Sequence, residues 1–364
     1  MNPVPRACPL VVAALFVPSL AAAHDTTDRA DSTPTAGVSA SLSTLWQRSD
    51  LGAGADDALD LGRAELTATV TSGAFELGGE VAAIRSAQPG SLLGLAGNSL
   101  VPVMRQAWIG GSWRPLPLHE IELGVDAGLL RTTVVSASAA TPLRPLGESA
   151  LERLGGVPRA DVGLRLSAAW GTVATLQLDA TSGEGDDDID RNDGRTLGAT
   201  LAAGLGEPGT TLGRLDLTVG IARGAVGPAE LDRTSTVAVL AWRERWVEAG
   251  ATWARIDGVE GRAELSSTIL SAWARVPDPW RVASLVAGWE QVAPDADADA
   301  AAVTATLGLR VDAPTDPDAW IKPGLLVTWS SVEVDDLAAG LPGAGEAESG
   351  DLYRVGLFAE LAAP

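Results

Sequence analysis

Arginines and carboxylates recur at alternate positions inside stretches that are otherwise apolar. In RADVGLRLSAAW, Asp161 and Arg165 lie on one side of the alternation, and Val162, Leu164 and Leu166 lie on the other. Opposed arginines and acids on one face can set up a transverse electric field that sorts ions by sign. They could equally be structural ion pairs that stiffen the sheet. The residues with this placement are Glu122, Asp126, Asp161, Arg165, Arg214, Asp216, Glu248, Arg310, Asp312 and Arg354.

No set of residues has the pattern of a catalytic site. A hydrolase needs a nucleophile with a base within hydrogen-bond reach, and His24 and His119 lie in a polar leader and at a predicted turn. The acidic stretches 186–193 and 295–299 could bind calcium, but neither has the full loop spacing with a terminal Glu. Phosphate-loop and CxxCH haem motifs are absent from the sequence. We therefore predict no enzymatic activity, no cofactor and no metal site.

The first 23 residues have the pattern of a secretory signal peptide. Arg6 is followed by an apolar run from Pro9 to Leu20 and by small residues at Ala21 and Ala23. A buried N-terminal helix is the alternative. Cys8 is the only cysteine, so a chain cut after Ala23 would have no thiol. We expect residues 24–36 to form a disordered leader, and the formal charge of -21 argues against a nucleic-acid partner.

The remainder of the chain, 37–364, contains about sixteen candidate strands and no apolar run long enough for a membrane helix. Each strand is close to the nine to eleven residues that cross a bilayer when tilted. The predicted strands are 37–48, 62–71, 73–86, 102–114, 118–131, 159–170, 172–182, 194–205, 212–223, 234–243, 245–255, 264–275, 281–292, 301–312, 319–331 and 351–361.

The predicted connections alternate between long and short along the chain. An up-and-down barrel requires this pattern, because every second connection lies at the same rim. The short connections include a one-residue turn at Gly171. The long ones carry much of the acidic excess. They are 49–61, 87–101, 132–158, 183–193, 224–233, 256–263, 293–300 and 332–350.

Tryptophans lie near many predicted strand ends, where an amphipathic ring suits the membrane interface. Packing in a soluble core is the alternative, since Trp108 and Trp289 lie mid-strand. The candidate interface residues are Trp46, Trp113, Trp170, Trp242, Trp246, Trp280, Trp320 and Trp329. We predict an all-β fold, a transmembrane antiparallel β-barrel of about sixteen strands, in the outer membrane of a Gram-negative bacterium. Its short turns would face the periplasm and its long loops the outside.

Three stretches resemble the phosphate-selective porin family (porins O and P). They are MRQAWIGGSWRP at 104–115, LGVDAGLLRTT at 123–133, and RADVGLRLSAAWG followed by the loop ATSGEGDDDIDRNDG and the strand RTLGATLAAG. The resemblance implies that the third long loop, 132–158, folds into the lumen as a constriction. It also implies a homotrimer. The residues of that constriction would be Arg131, Arg144, Glu148, Glu152, Arg153 and Arg159.

The family's phosphate preference rests on a basic constriction, and this chain departs from that composition. Lys322 is the only lysine, and Glu148 and Glu152 accompany the loop arginines. The chain also ends in LFAELAAP, with Phe358 several residues before the end, where a barrel normally closes on a terminal aromatic residue.

The predicted function is passive diffusion of small hydrophilic solutes or ions through a water-filled lumen, with lipid and lipopolysaccharide around the barrel. A second class remains open, in which loops plug the lumen and the barrel acts as an adhesin or a structural protein. A secreted soluble β-protein is the third.

Overall fold

The computed structural model describes residues 34–51, 56–85, 100–115, 120–143, 151, 157, 160–182, 195–207, 210, 212–226, 231–259, 262–278, 282–295, 300–313, 321–334 and 349–363. The predicted signal peptide and almost all of the predicted leader lie outside these residues. No helix in the described part of the chain is long and apolar enough to cross a membrane.

Sixteen strands and one short helix make up the described elements, and each predicted strand corresponds to one observed strand. The strands are β1 Thr35–Leu51, β2 Asp56–Ser72, β3 Phe75–Arg85, β4 Leu100–Trp113, β5 Ile121–Arg131, β6 Ala160–Trp170, β7 Ala174–Thr181, β8 Thr196–Gly206, β9 Arg214–Val226, β10 Leu231–Arg243, β11 Glu248–Val259, β12 Arg262–Pro277, β13 Ala283–Asp295, β14 Ala300–Asp312, β15 Ile321–Val334 and β16 Gly350–Ala363. Helix α1, Thr133–Ser138, lies between β5 and β6.

The strands form one closed antiparallel barrel in which each strand pairs with its neighbours in sequence. Strand β1 closes the ring by pairing with β16, from Val38 opposite Ala363 to Leu51 opposite Gly350. Both ends of the barrel chain therefore lie at the rim of the predicted short turns. The prediction of an antiparallel barrel of about sixteen strands is confirmed.

Several loops that we predicted to be long are short. Strand pairing continues to Ser49 opposite Asp56, so only 52–55 separate β1 from β2. Strand pairing also reaches Val259 opposite Arg262 in the predicted loop 256–263. The polar residues Asp56, Asp57 and Asp60 thus belong to β2. Side-chain polarity marks the end of the lipid-facing band, but the backbone ladder can continue into water beyond it.

The turn between β6 and β7 was also predicted incorrectly. Gly171, Thr172 and Val173 form a three-residue turn, in which the Val173 N–H donates to the Trp170 carbonyl at 3.1 Å. Gly171 has a φ of 49°, which favours glycine. Val173 therefore belongs to the turn and not to the apolar face of β7.

The outer face of the barrel is apolar and the inner face is largely small or polar. In β8, Leu197, Leu201 and Leu205 are exposed, whereas the inner Thr200 is buried. Of the tryptophans predicted for the interface, those whose side chains are described are all exposed, namely Trp46, Trp113, Trp170, Trp242, Trp246 and Trp329. Trp289 is exposed too, whereas Trp108 lies on the inner face, where its indole N–H donates to Glu76. An apolar outer band with tryptophans in it is the surface that a lipid bilayer requires.

Candidate functional site

A segment folded into the barrel begins directly after β5. Residues 132–143, the inner segment, contain α1 and carry no charged side chain. Threonine and valine favour helix only weakly, and a helix of six residues is marginal by itself. Packing must therefore stabilise it. Val135 is completely buried.

The inner segment packs on an apolar part of the barrel wall. Val134 and Val135 form one buried cluster with Leu151 and Val157, which lie further along the same connection. The wall contributes side chains from β10 to β13, and α1 contacts β9 and β10. The wall residues of this cluster are Val237, Val239, Ala254, Ile256, Ile269 and Val292. Sequence reasoning missed this surface, although β10 contains the run VAVLAW, which is apolar on both faces.

The far end of the inner segment contacts the part of the wall formed by β13 to β16. Leu143 packs against a second buried cluster made of Val286, Leu326 and Phe358. An Nη1–H of Arg310 donates to the Pro142 carbonyl at 3.5 Å, and the same guanidinium lies 4.6 Å from the centroid of the Phe358 ring. The inner segment therefore extends from β5 to the wall formed by β13 to β16.

The near end of the inner segment is fixed by β6 and β7. Arg165 donates from Nη2 to the Arg131 carbonyl at 2.8 Å, and its Nε donates to Asp179 at 2.6 Å. Thr133 donates its hydroxyl hydrogen to the side-chain oxygen of Gln177. A charged wall residue thus holds the backbone at the point where the chain leaves the wall.

Arg131 itself lies beside a buried polar group on β3 and β4. Its Nη1 is 3.9 Å from Glu80 Oε2, which also accepts a hydrogen bond of 2.8 Å from Gln106. The ladder between β3 and β4 shifts at this point, so that Arg105 is an extra residue between Met104 and Gln106. Arg105 and Gln106 are both buried. Sequence reasoning missed Arg105 and Gln106 because the bulge in β4 breaks the alternation that it used. It also missed Glu80, although this residue lies on the regular alternation of β3.

An ion-pair network lines the inner wall near the short-turn rim at β9 and β10. Asp216 accepts from Arg214 at 2.7 Å and from Arg243 at 2.9 Å, one bond to each carboxylate oxygen. The Arg243 side chain remains 42% exposed. Arg243 was not among our candidates, although its register places it directly opposite Arg214.

A second network continues along the same rim from β11 to β14. Arg275 lies 3.6 Å from Glu248 and 3.0 Å from Asp312. Asp312 also accepts a hydrogen bond from Arg310 Nε at 2.9 Å. The predicted residues Arg214, Asp216, Glu248, Arg310 and Asp312 are therefore brought together in chains of ion pairs, with Arg243 and Arg275 as the members that we had missed.

The other predicted wall residues are spread around the ring. Asp126 is directly opposite Arg165 in the β5–β6 register, and Glu122 pairs with Arg114 at 3.4 Å. Asp161 accepts from Ser182 at 2.6 Å. Arg354 donates to Ser330 at 3.2 Å. Of the predicted constriction residues, Arg131 is placed as above, and Arg144, Glu148, Glu152, Arg153 and Arg159 lie outside the described residues.

Acidic and basic side chains occur together on the inner wall. Glu80, on β3, lies beside Arg131, and on the opposite side of the ring Arg275, on β12, lies beside Glu248 and Asp312. Such an arrangement can orient ions and dipolar solutes in a lumen. Among the described residues, no cluster of three or more His, Cys, Asp or Glu side chains could hold a metal ion.

Comparison with known proteins supports the fold. The chain is similar to outer-membrane-expressed OmpT of Vibrio cholerae, with 15% identity and a TM-score of 0.56 over 92% of this chain and 99% of that chain. It is similar to an anion-selective porin from Comamonas acidovorans, with 13% identity and a TM-score of 0.56 over 91% of this chain and 100% of that chain. It is also similar to the outer-membrane channel DcaP of Acinetobacter baumannii, with 13% identity and a TM-score of 0.55 over 92% of this chain and 99% of that chain.

No protein-family model matches the chain, and no curated protein matches it. At these identities the likeness concerns the fold. Together with the apolar outer face, it identifies the chain as a β-barrel of the Gram-negative outer membrane. The structural neighbours include porins and channels. The expected absence of enzymatic activity stays a prediction.

Proposed function

We propose that the protein is an outer-membrane porin that lets small hydrophilic solutes or ions diffuse passively through a water-filled lumen. The observation that carries the proposal is the position of the inner segment. Its contacts described above begin at β7 and reach the cluster on β13, β15 and β16, so the segment lies along the wall. An infolded segment of this kind narrows a barrel without having to fill it.

The charges on the inner wall support a lumen that contains water. Arg214, Arg243 and Arg275 have partly exposed side chains inside the barrel. Ionised groups that are buried away from water are costly even when paired, whereas a hydrated lumen solvates their free faces. The fold of the anion-selective porin and of the channel DcaP is consistent with this reading.

The proposed constriction consists of Arg131, Arg144, Glu148, Glu152, Arg153 and Arg159, and the proposed pore wall consists of Glu122, Asp126, Asp161, Arg165, Arg214, Asp216, Arg310 and Arg354. A preference for phosphate is not part of the proposal. Asp179 and Asp216 each accept hydrogen bonds from arginine, so much of the basic charge is compensated at the wall.

The test is the single-channel conductance of the purified mature protein in a planar bilayer, with a salt gradient for selectivity. We expect stepwise openings, and the reversal potential will give the sign of the preferred ion. Comparing chloride with phosphate as the anion tests the resemblance to the phosphate-selective porin family. A protein that inserts as a folded barrel and never conducts would contradict the proposal.

One observation favours the alternative, a barrel plugged by its loops that acts as an adhesin or a structural protein. Leu151 and Val157 are buried with Val134 and Val135 inside the barrel, so the connection after β5 forms an apolar core together with the wall. Silent but correctly folded insertion would support this alternative.

We also propose that the barrel is a homotrimer surrounded by lipid and lipopolysaccharide. The chain is similar to a trimer form of Vibrio cholerae OmpT, with 13% identity and a TM-score of 0.56 over 91% of this chain and 100% of that chain. Unheated gel electrophoresis and light scattering in detergent test the assembly. A monomer in mild detergent would contradict it.

A further inference from the structure

Two glycines of the inner wall lie directly beneath apolar side chains of the inner segment. A Cβ added to Gly220, on β9, would come within 2.5 Å of Val134 Cγ1. A Cβ added to Gly288, on β13, would come within 2.5 Å of Leu143 Cδ1. Real Cβ atoms essentially never show such distances. In both places the segment occupies the space that any other residue would fill.

We propose that Gly220 and Gly288 are positioning residues that seat the inner segment against the wall and thereby set the width of the passage. This inference rests on the proposed porin function for its effect on transport. The contacts of Gly220 with Val134 and of Gly288 with Leu143, together called the seat, are a structural feature that can be tested separately from transport.

The need for glycine at these two positions is not a backbone requirement. Neither residue has the positive φ that marks Gly73 and Gly171, so alanine could adopt either conformation. Glycine in a strand lowers stability and often marks the close approach of another group. Here that group is the inner segment.

The two contacts hold opposite ends of the segment. Val134 belongs to α1, which lies against β9 and β10, and Leu143 is the last described residue of the segment. Arg310 supports the second contact through its bond to the Pro142 carbonyl. If Gly220 gains a methyl group, the stiff, branched Val134 side chain and the segment that carries it must move away from the wall, towards the lumen. At Gly288 the atom met is the end of the flexible Leu143 side chain, so a methyl group there should have the smaller effect.

A matched control exists on the neighbouring strand. Gly198, on β8, has the same inner orientation, but the nearest atoms to an added Cβ are those of Asp179, Ile221 and Ala222 at 3.6–3.8 Å. These are ordinary van der Waals distances, and none of the atoms belongs to the inner segment. Gly198→Ala therefore adds the same methyl group to the wall without affecting the seat.

The first experiment adds a methyl group to the wall and then removes the Cγ methyl groups that it meets on the segment. Gly220→Ala should lower the single-channel conductance, because the segment is displaced into the lumen. The double variant Gly220→Ala/Val134→Ala removes the clashing Cγ atoms and should restore the wild-type conductance. Gly198→Ala should conduct like the wild type. Loss of conductance in Gly220→Ala that the second substitution leaves unchanged, or no loss at all, would overturn the proposal.

The second experiment does not depend on conduction. Because the Val134 Cγ1 atom is one bond of about 1.5 Å from Cβ, the Cβ atoms of residues 134 and 220 are at most about 4 Å apart, and this upper limit is a Cβ separation found in disulfides. The pair Val134→Cys/Gly220→Cys, in a chain without Cys8, should cross-link in the folded barrel upon mild oxidation, and Val134→Cys/Gly198→Cys should cross-link much less. Equal cross-linking of both pairs, or of neither, would contradict the seat. A cross-linked barrel that does not conduct in either redox state would instead contradict the porin function.

Discussion

At the scale of single residues, Arg165 has two roles that the structure separates. Its Nε forms an ion pair with Asp179, and its Nη2 holds the Arg131 carbonyl where the chain leaves the wall. The side chains of Arg165 and Asp179 are only 12% and 16% exposed, respectively. An alternating pattern can identify Arg165 as an inner residue, but it cannot indicate the contact with a backbone carbonyl that is 34 positions away.

Replacing Arg165 with Gln should lower the free energy of unfolding by about 1–3 kcal/mol, because it leaves the Asp179 carboxylate without its charged partner. It should also shift the reversal potential towards cation preference, since one positive charge leaves the lumen. Equilibrium urea unfolding in lipid vesicles and a salt-gradient recording measure the two effects. The double variant Arg165→Gln/Asp179→Asn should recover part of the stability and the original selectivity. Strictly additive effects on stability would show that the pair is not coupled.

At the scale of elements, the inner segment combines a weak helix with strong packing. Helix α1 has no side-chain cap and no acidic residue in its first turn. Its stability therefore comes from Val134 and Val135 in the apolar cluster. Such an element should leave its site when its packing is disturbed, while the barrel around it remains folded.

Replacing Val135 with Asp should release the segment, because a carboxylate cannot remain in an apolar cluster without a partner. We expect larger current noise and a conductance different from that of the wild type, with an intact barrel by heat-modifiable gel mobility. Val135→Ala removes volume without adding charge and should have the smaller effect. Equal effects of the two substitutions would indicate that burial at this position does not hold the segment.

The strand β8 offers a test of the two faces of the wall. Leu201 lies on the lipid-facing side near the middle of the strand, and Ala202 lies on the inner side. Leu201→Arg should lower the free energy of unfolding by about 2–4 kcal/mol, the range for an arginine at the bilayer midplane. Ala202→Arg should cost much less, since a lumen can hydrate the guanidinium. The reverse order in urea unfolding would mean that the faces are assigned wrongly.

At the scale of the whole molecule, the barrel depends on a seam between its first and last strands. Phe358, on β16, is opposite Ser43 of β1 and opposite Gly324 of β15. Its ring covers Gly324, where an added Cβ would lie 2.2 Å from the ring. Phe358 is thus an inner packing residue next to the closing pair of strands.

Replacing Phe358 with Ala should lower the free energy of unfolding by about 3–5 kcal/mol, the usual range for removing a buried aromatic side chain. Leu357 is the matched control, because it is adjacent in sequence but 61% exposed on the outer face. Leu357→Ala should have a clearly smaller effect in the same urea titration. A similar loss in both variants would contradict the packing role of Phe358.

The number of strands, their approximate positions and the inner or outer orientation of residues such as Arg165, Arg214 and Asp216 could be predicted from the sequence. The reason is that alternation has a period of two residues and is therefore local. Strand ends were less predictable where polar residues such as Asp56 continue the ladder into water.

The resemblance implied that the connection after β5 folds into the lumen. The tertiary structure alone decided which strands the inner segment contacts, which part of the inner wall is apolar, and how the arginines pair. The bond from Arg310 to the Pro142 carbonyl joins residues 168 positions apart, and the seat of Val134 on Gly220 joins β9 to a segment that follows β5. A local pattern specifies the face of a strand on which a side chain lies. Only the closed ring determines which distant residues it meets there.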